Sequence, residues 1–243
     1  MNVPYKYIEQ VNGAIPHSHS IDRSNTFPDG IHEISSPAFV YDESALHRLL
    51  DGVQTLRAPG YCRVLFAIKS LSFAKVLSLM APRLDGFAVS SLFEARLARN
   101  VLSADGFIHL TTPGLRNHEA EEIGALCDFV SFNSLNQWDM FHVSLKASSN
   151  CGIRVNPELS FIDDDRYDPC RTGSKLGVPL NNLVTEFERN PARFTGLQGI
   201  LFHSNCDSSD FGQLLATVKH IPVSYTHLRA HETLRYLVWP LLV

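Results

Sequence analysis

From Tyr61 onward one unit recurs along the chain: a short apolar run of strand length, a polar turn, and an amphipathic helical segment. The apolar runs are CRVLFAIKS, DGFAVSS, DGFIHLTTP, CDFVSFNS, NCGIRVNPE and LQGILFHSNCD. Between and after them come SFAKVLSLMAPRL, LFEARLARNVL, HEAEEIGAL, LNQWDMFHVSLKA, NNLVTEFERN and SDFGQLLATVKHI. Helical spacing puts Phe73, Val76, Leu77 and Met80 on one stripe, and Trp138, Phe141, His142 and Leu145 on another. Runs apolar on both sides suit strands covered on two faces, so about six consecutive βα units predict a parallel sheet with helices outside it. No G-x-G-x-x-G turn follows the first strand, which favours an α/β fold of the (β/α)8 TIM-barrel type, incomplete, over an open doubly wound sheet.

The ends of the chain break this pattern. Residues 1–35 are polar, carry Pro4, Pro16 and Pro28, and read as an N-terminal extension. Ala38 to Tyr41 predicts a short strand, and Asp42 an N-cap for a helix that ends near Gly52. After Ile221 no further strand is predicted. The stretch VSYTHLRAHET, Val223 to Thr233, reads like a translated sequencing-library adaptor, so residues 222–243 are expected to be a non-native tail. The expected organisation is an extension over 1–35, a partial barrel over 36–221 and the tail.

Composition narrows the function classes. The chain has 243 residues, 44% hydrophobic and 19% charged, the balance of a globular enzyme-sized domain. A net charge of −4 leaves no basic surface for nucleic acid. Five cysteines without a C-x-x-C pair suit reduced thiols and a cytoplasmic setting. No apolar run approaches the roughly 20 residues that span a bilayer. His17 and His19 lack a third ligand in view, so no metal site is expected. Cys62, Cys127 and Cys151 sit at strand starts as small core residues, whereas Cys170 lies in a long loop and is expected to be more exposed. Asp163, Asp164 and Asp165 read as a solvated loop.

The candidate chemistry sits at the C-terminal strand ends, where a barrel of this kind builds its sites. Alternation places Leu65, Ala67 and Lys69 on one face of the first strand. A lysine ending a buried strand is expected to be partly desolvated, which favours the neutral amine that attacks an aldehyde. Ser90 is in phase with Gly86 and Ala88, and Asn133 ends the fourth strand. Arg154 and Asn156 share a face with Gly152, and His203 shares one with Gly199 and Leu201. Singly each has a plainer reading: a lysine reaching to solvent, an arginine paired with a carboxylate, a core histidine. Together, a lysine for an aldehyde, a cation for a phosphate and a flat imidazole are what pyridoxal 5'-phosphate requires.

FAIKS, GFAVSSLFEARLA, SFNSL, IRVNPE, YDPCRTGSKLGVP and GILFHSNCD resemble, in order and spacing, the barrel domain of fold-type III pyridoxal-phosphate decarboxylases. The resemblance runs from about Ser36 to Ile221 and is strongest to the carboxynorspermidine (carboxyspermidine) branch. FAVSSLFE carries Ala88 where ornithine-type enzymes have an aspartate, and HSNCD replaces the H-x-G-S of the diaminopimelate branch. The resemblance implies that Lys69 condenses with the cofactor aldehyde, His203 stacks on the pyridine ring and Arg154 supports the cofactor. It places Ser90 and Glu94 around the pocket, Cys206 where relatives have a serine near the phosphate, and Lys175 in a structural motif. It also implies a homodimer acting on a small amino-acid or polyamine substrate. The phosphate loop, the acid on the pyridine nitrogen and the family's C-terminal β domain are not matched, so a fragment inactive alone is expected. Other readings are a diaminopimelate- or ornithine-type decarboxylase, an alanine-racemase-type enzyme on the same barrel, and a non-catalytic relative of the antizyme-inhibitor kind.

Overall fold

The computed structural model describes residues 41–57, 63–103, 105–204, 212–229 and 236–238, with Ser35 and Pro37; for 55–57, 222–229 and 236–238 it describes the backbone alone. His17, His19, Cys62, Cys206 and all but Tyr41 of the expected strand Ala38–Tyr41 lie outside these residues. The chain divides into two compact units, Met1–Cys62 and Arg63–Val243. The first holds helix α1 (Glu43–Arg57), whose first turn is capped as expected: Asp42 Oδ1 accepts from the amides of Ser44 (2.8 Å) and Ala45 (3.1 Å). The helix continues through Gly52 rather than ending there.

The second unit alternates strands and helices. Its strands are β1 (Leu65–Ala67), β2 (Gly86–Val89), β3 (Phe107–Thr112), β4 (Phe129–Phe132), β5 (Asn150–Asn156), β6 (Val178–Pro179), β7 (Leu197–Leu201) and β8 (Tyr236–Val238). Its helices are α2 (Ala74–Met80), α3 (Leu92–Val101), α4 (Ala120–Leu126), α5 (Leu135–Leu145), α6 (Leu180–Arg189) and α7 (Gly212–Arg229). All strand pairs are parallel, in the order β1-β2-β3-β4-β5-β7-β8, with the short β6 pairing the end of β5 off this path. Among the described residues no pairing joins β1 to β8, so the barrel is incomplete. The strand β8 corrects the expectation that none follows Ile221: it pairs in parallel with β7, Gly199 facing Tyr236. Among the described residues no helix is long and apolar enough to cross a membrane.

Alternation sorts each strand into two faces. Phe87, Val89, Ile108, Leu110, Val130, Phe132, Ile153, Val155, Ile200 and Phe202 are almost fully buried and face the helices. There Phe132 meets Trp138 of α5 edge-on, 5.9 Å between ring centroids. Trp138, Phe141 and Leu145 form the expected buried stripe, with His142 stacked on Trp138 at 4.4 Å. Val76, Leu77 and Met80 are likewise buried, but Phe73 is 51% exposed because it precedes α2 as its N-cap rather than lying on its stripe. The inward face carries small and polar residues. At Gly152 a side chain would collide with the Phe129 ring (2.7 Å) and the Gly199 carbonyl (2.9 Å).

The N-terminal strand ends are closed by acids. Asp85 Oδ2 accepts the Val64 amide (2.7 Å) and Asp128 Oδ2 the Ile108 amide (2.8 Å), each satisfying a donor where the ladder begins. Arg99 of α3 donates to the carbonyls of Gly106 (3.0 Å) and Leu126 (2.6 Å) and to Asp128 (3.0 Å). Cys127 and Cys151 are buried near this end as expected, and burial pushes their thiols up to about 12 and about 11.

Candidate active site at the strand ends

Lys69 does not end a strand. The ladder of β1 stops at Ala67, and Ile68–Ser70 form a 3-10 turn. Its cause is local: the Ser70 hydroxyl donates back to the Ala67 carbonyl (2.7 Å), and the Leu71 amide to Ile68 O (3.0 Å). Ile68 stays buried, whereas Lys69 is exposed. The expected partial desolvation of the lysine is therefore not found.

At the end of β2, Ser90 and Glu94 are tied to each other. Glu94 Oε2 accepts from the Ser90 amide (2.7 Å) and hydroxyl (3.0 Å), while Ser91 Oγ accepts the Glu94 amide (3.2 Å). This is a variant of the capping box at the start of α3, the glutamate reaching the amide one residue before the N-cap Ser91. The same device recurs after β4, where Gln137 takes the Asn133 amide (2.8 Å) and Ser134 Oγ takes that of Gln137 (3.2 Å). The spacings S-x-x-E and S-x-x-Q were visible in SSLFE and NSLNQ.

The asparagines of the mouth hold the loop between β5 and β6. Asn133 Nδ2 donates to Lys175 O (2.8 Å) and its Oδ1 accepts the Gly177 amide (3.0 Å). Asn156 Oδ1 accepts the Glu158 amide (2.9 Å), and its Nδ2 donates to Arg171 O (3.3 Å). Gly177 has φ +95°, and a Cβ there would lie 2.8 Å from the Val155 carbonyl carbon, so the close return of the loop requires glycine. Farther out, Asp164 pairs with Arg166 (2.6 Å), which holds its carboxyl below the usual range; Asp163 and Asp165 are exposed. Cys170 corrects its expected exposure. It is 2% exposed, its amide held by Asp168 Oδ1 (2.7 Å) and its thiol donating to the His203 carbonyl (3.2 Å).

Arg154, His203 and Lys69 stand at the same end of the sheet. The His203 imidazole is pushed down to about 4, first by burial and then by the positive charges of Arg154 and Lys69. A lysine in the turn after β1, an arginine on β5 and a histidine just past β7 are thus close enough for their charges to be felt at one ring. Burial also lowers Arg154, and its Nε is shielded from solvent without a hydrogen-bond partner.

His109 and Thr111 of β3 escaped the reading of the sequence, although the alternation used on the other strands puts both on the inward face. His109 Nε2 lies 2.8 Å from Ser131 Oγ, its ring meets Phe129 edge-on at 4.9 Å, and burial pushes it down to about 3. Thr111 Oγ1 is buried and without a hydrogen-bond partner.

A carboxynorspermidine/carboxyspermidine decarboxylase from Herminiimonas arsenicoxydans is 32% identical over 210 residues, 85% of this chain and 53% of that protein. The chain is homologous to the carboxynorspermidine/carboxyspermidine decarboxylases. A carboxyaminopropylagmatine decarboxylase from Synechocystis is also 32% identical, over 82% of the chain and 53% of its own length. The chain thus spans about half the length of the curated relatives it matches. No family model matches it. Among solved structures, the Campylobacter jejuni carboxynorspermidine decarboxylase complexed with norspermidine aligns at a TM-score of 0.70 and 22% identity, covering 84% of this chain and 50% of that one. A Helicobacter pylori diaminopimelate decarboxylase complexed with L-lysine aligns at a TM-score of 0.70 and 18% identity, covering 85% and 54%. These likenesses establish the decarboxylase barrel as the fold of the homologous region.

Proposed function

We propose that this chain carries the cofactor-facing barrel mouth of a pyridoxal-phosphate-dependent carboxy-lyase that converts carboxynorspermidine or carboxyspermidine to norspermidine or spermidine. What supports the reading is placement: Lys69 in the turn after β1, Arg154 on β5 and His203 just past β7 stand at one end of the sheet, with the charges of Arg154 and Lys69 adding to burial in lowering the imidazole. The residues fit the cofactor. Lys69 is exposed and offers an amine at the mouth. His203, kept neutral near pH 7, presents a flat uncharged ring to a pyridine face. Arg154, with its Nε unpaired, suits an anionic oxygen. When bound, pyridoxal phosphate supplies an aldehyde for the amine and an electron sink for the bonding pair left as the carboxylate departs as CO2. Ser90 and Glu94 line the wall and hold its shape through their mutual hydrogen bonds. Cys206, outside the described residues, is assigned a place beside the phosphate by the family resemblance alone. The same reading makes the working form a cytoplasmic homodimer with a small-molecule substrate.

Incubation with pyridoxal phosphate, reduction with borohydride and peptide mapping test the reading. It expects the label on Lys69; label elsewhere, or none, overturns it. The equal identity to the Synechocystis protein supports a second substrate, carboxyaminopropylagmatine, on the same site. Rates of CO2 release from the two carboxylated amines decide between them.

A further inference from the structure

Among the described residues, two buried side-chain polar atoms lack a hydrogen-bond partner, Thr111 Oγ1 and Arg154 Nε. Native interiors pair nearly all such atoms, and the exceptions call for an account. Both orphans lie on the inward face of the same sheet. His109, two residues before Thr111 on β3, turns inward to Ser131 and Phe129, and Thr111 is in phase with it. Thr111 stands opposite Ser131 in the ladder, and Ser131 opposite Gly152, two residues before Arg154 on β5. In a tilted barrel alternate strands supply each inward layer, so β3 and β5 are partners of this kind. The intervening Ser131 hydroxyl is already engaged by His109, and Gly152 has no side chain to fill the space.

We propose that Thr111 is a further binding residue of the site, its hydroxyl and the Arg154 Nε–H meeting an anionic oxygen of bound pyridoxal phosphate, the ring oxygen beside the aldehyde carbon. The chemistry selects the oxygen. A guanidinium only donates and a hydroxyl donates equally well, so their shared partner must be an acceptor carrying negative charge. The ring oxygen adjoins the carbon that Lys69 attacks. It therefore stays near the lysine amine, whose charge is felt at the same imidazole as that of Arg154. This inference rests on the cofactor reading above.

Titration of the whole chain with pyridoxal phosphate, followed by cofactor fluorescence, tests it in wild type, Thr111→Val and Thr111→Ser. Valine keeps the shape and removes the hydroxyl, so its dissociation constant is expected to rise about tenfold, while serine stays within about twofold of wild type. Pyridoxal, which lacks the phosphate, should show the same valine-to-wild-type ratio. A ratio that vanishes with pyridoxal assigns Thr111 to the phosphate and overturns the ring-oxygen assignment. The cofactor-free valine variant should melt no lower than wild type, because it loses only an unpaired hydroxyl. A lower melt, or unchanged affinity, refutes the proposal. Normal borohydride labelling of Lys69 in wild type, with unchanged affinity in Thr111→Val, would sink this inference alone; no labelling in wild type would sink the cofactor reading with it.

Discussion

The two ends of the sheet differ in what they leave unpaired. At the N-terminal end, donors and acceptors find partners within the chain: Asp85 and Asp128 take strand amides, and Arg99 serves two carbonyls and a carboxylate. At the C-terminal end, an arginine nitrogen and a threonine hydroxyl are buried without partners, and a histidine is held neutral beside two cations. A paired buried group stabilises the fold, whereas an unpaired one costs stability until something else supplies its partner. One end of the sheet holds the fold together, and the other, on the proposed reading, is held ready for a ligand.

Swapping the arginines gives the largest test of this contrast. Arg154→Met should weaken pyridoxal-phosphate uptake by about 100-fold yet leave the unfolding free energy of the free chain within about 1 kcal/mol, because it removes a half-buried cation whose shielded Nε has no hydrogen-bond partner. Arg99→Ala should do the reverse, lowering stability by about 2 kcal/mol in urea titrations with little change in uptake once folded. Equal destabilisation by both variants would erase the distinction.

Acid tests the contrast through stability. His203 and His109 are depressed to about 4 and about 3 in the folded chain, so between pH 6.5 and 4.5 the unfolded chain binds more protons at these positions. Their contribution is complete above the unfolded value of about 6.5 and is lost as pH falls toward the folded values. The limiting slope is on the order of 1.4 kcal/mol per histidine per pH unit. His109→Gln should flatten the urea-derived stability profile in that window by about one histidine's share. An unchanged profile would show that the ring is accessible to protons in the native state.

The helices and parallel strands were legible because their signals are local: apolar runs closed by turn residues, and stripes at helical spacing. Strand phase was legible for Arg154 on β5, whereas Lys69 falls in the turn after β1 and His203 just past β7. What was missed depended on competition between hydrogen bonds. Nothing in the spacing of IKS shows that Ser70 would bond back to Ala67 and turn the lysine out to solvent. Cys170 looked exposed because its loop is polar, yet Asp168 and the His203 carbonyl draw it inward. His109 and Thr111 share the inward phase of β3, so alternation alone is enough to find them. The strand β8 lies in the expected non-native tail, and its backbone nonetheless pairs with β7.

The Asn133 amide grips the loop backbone at two points, Lys175 O and Gly177 N, with opposite polarity. Such a grip works as a gauge of loop length. Removing one residue between Pro157 and Ser174 would pull these backbone groups out of the amide's reach, and the tension would reach Cys170 and so the backbone of His203. Changes of side chain in that loop are cheap by comparison with a change in its count.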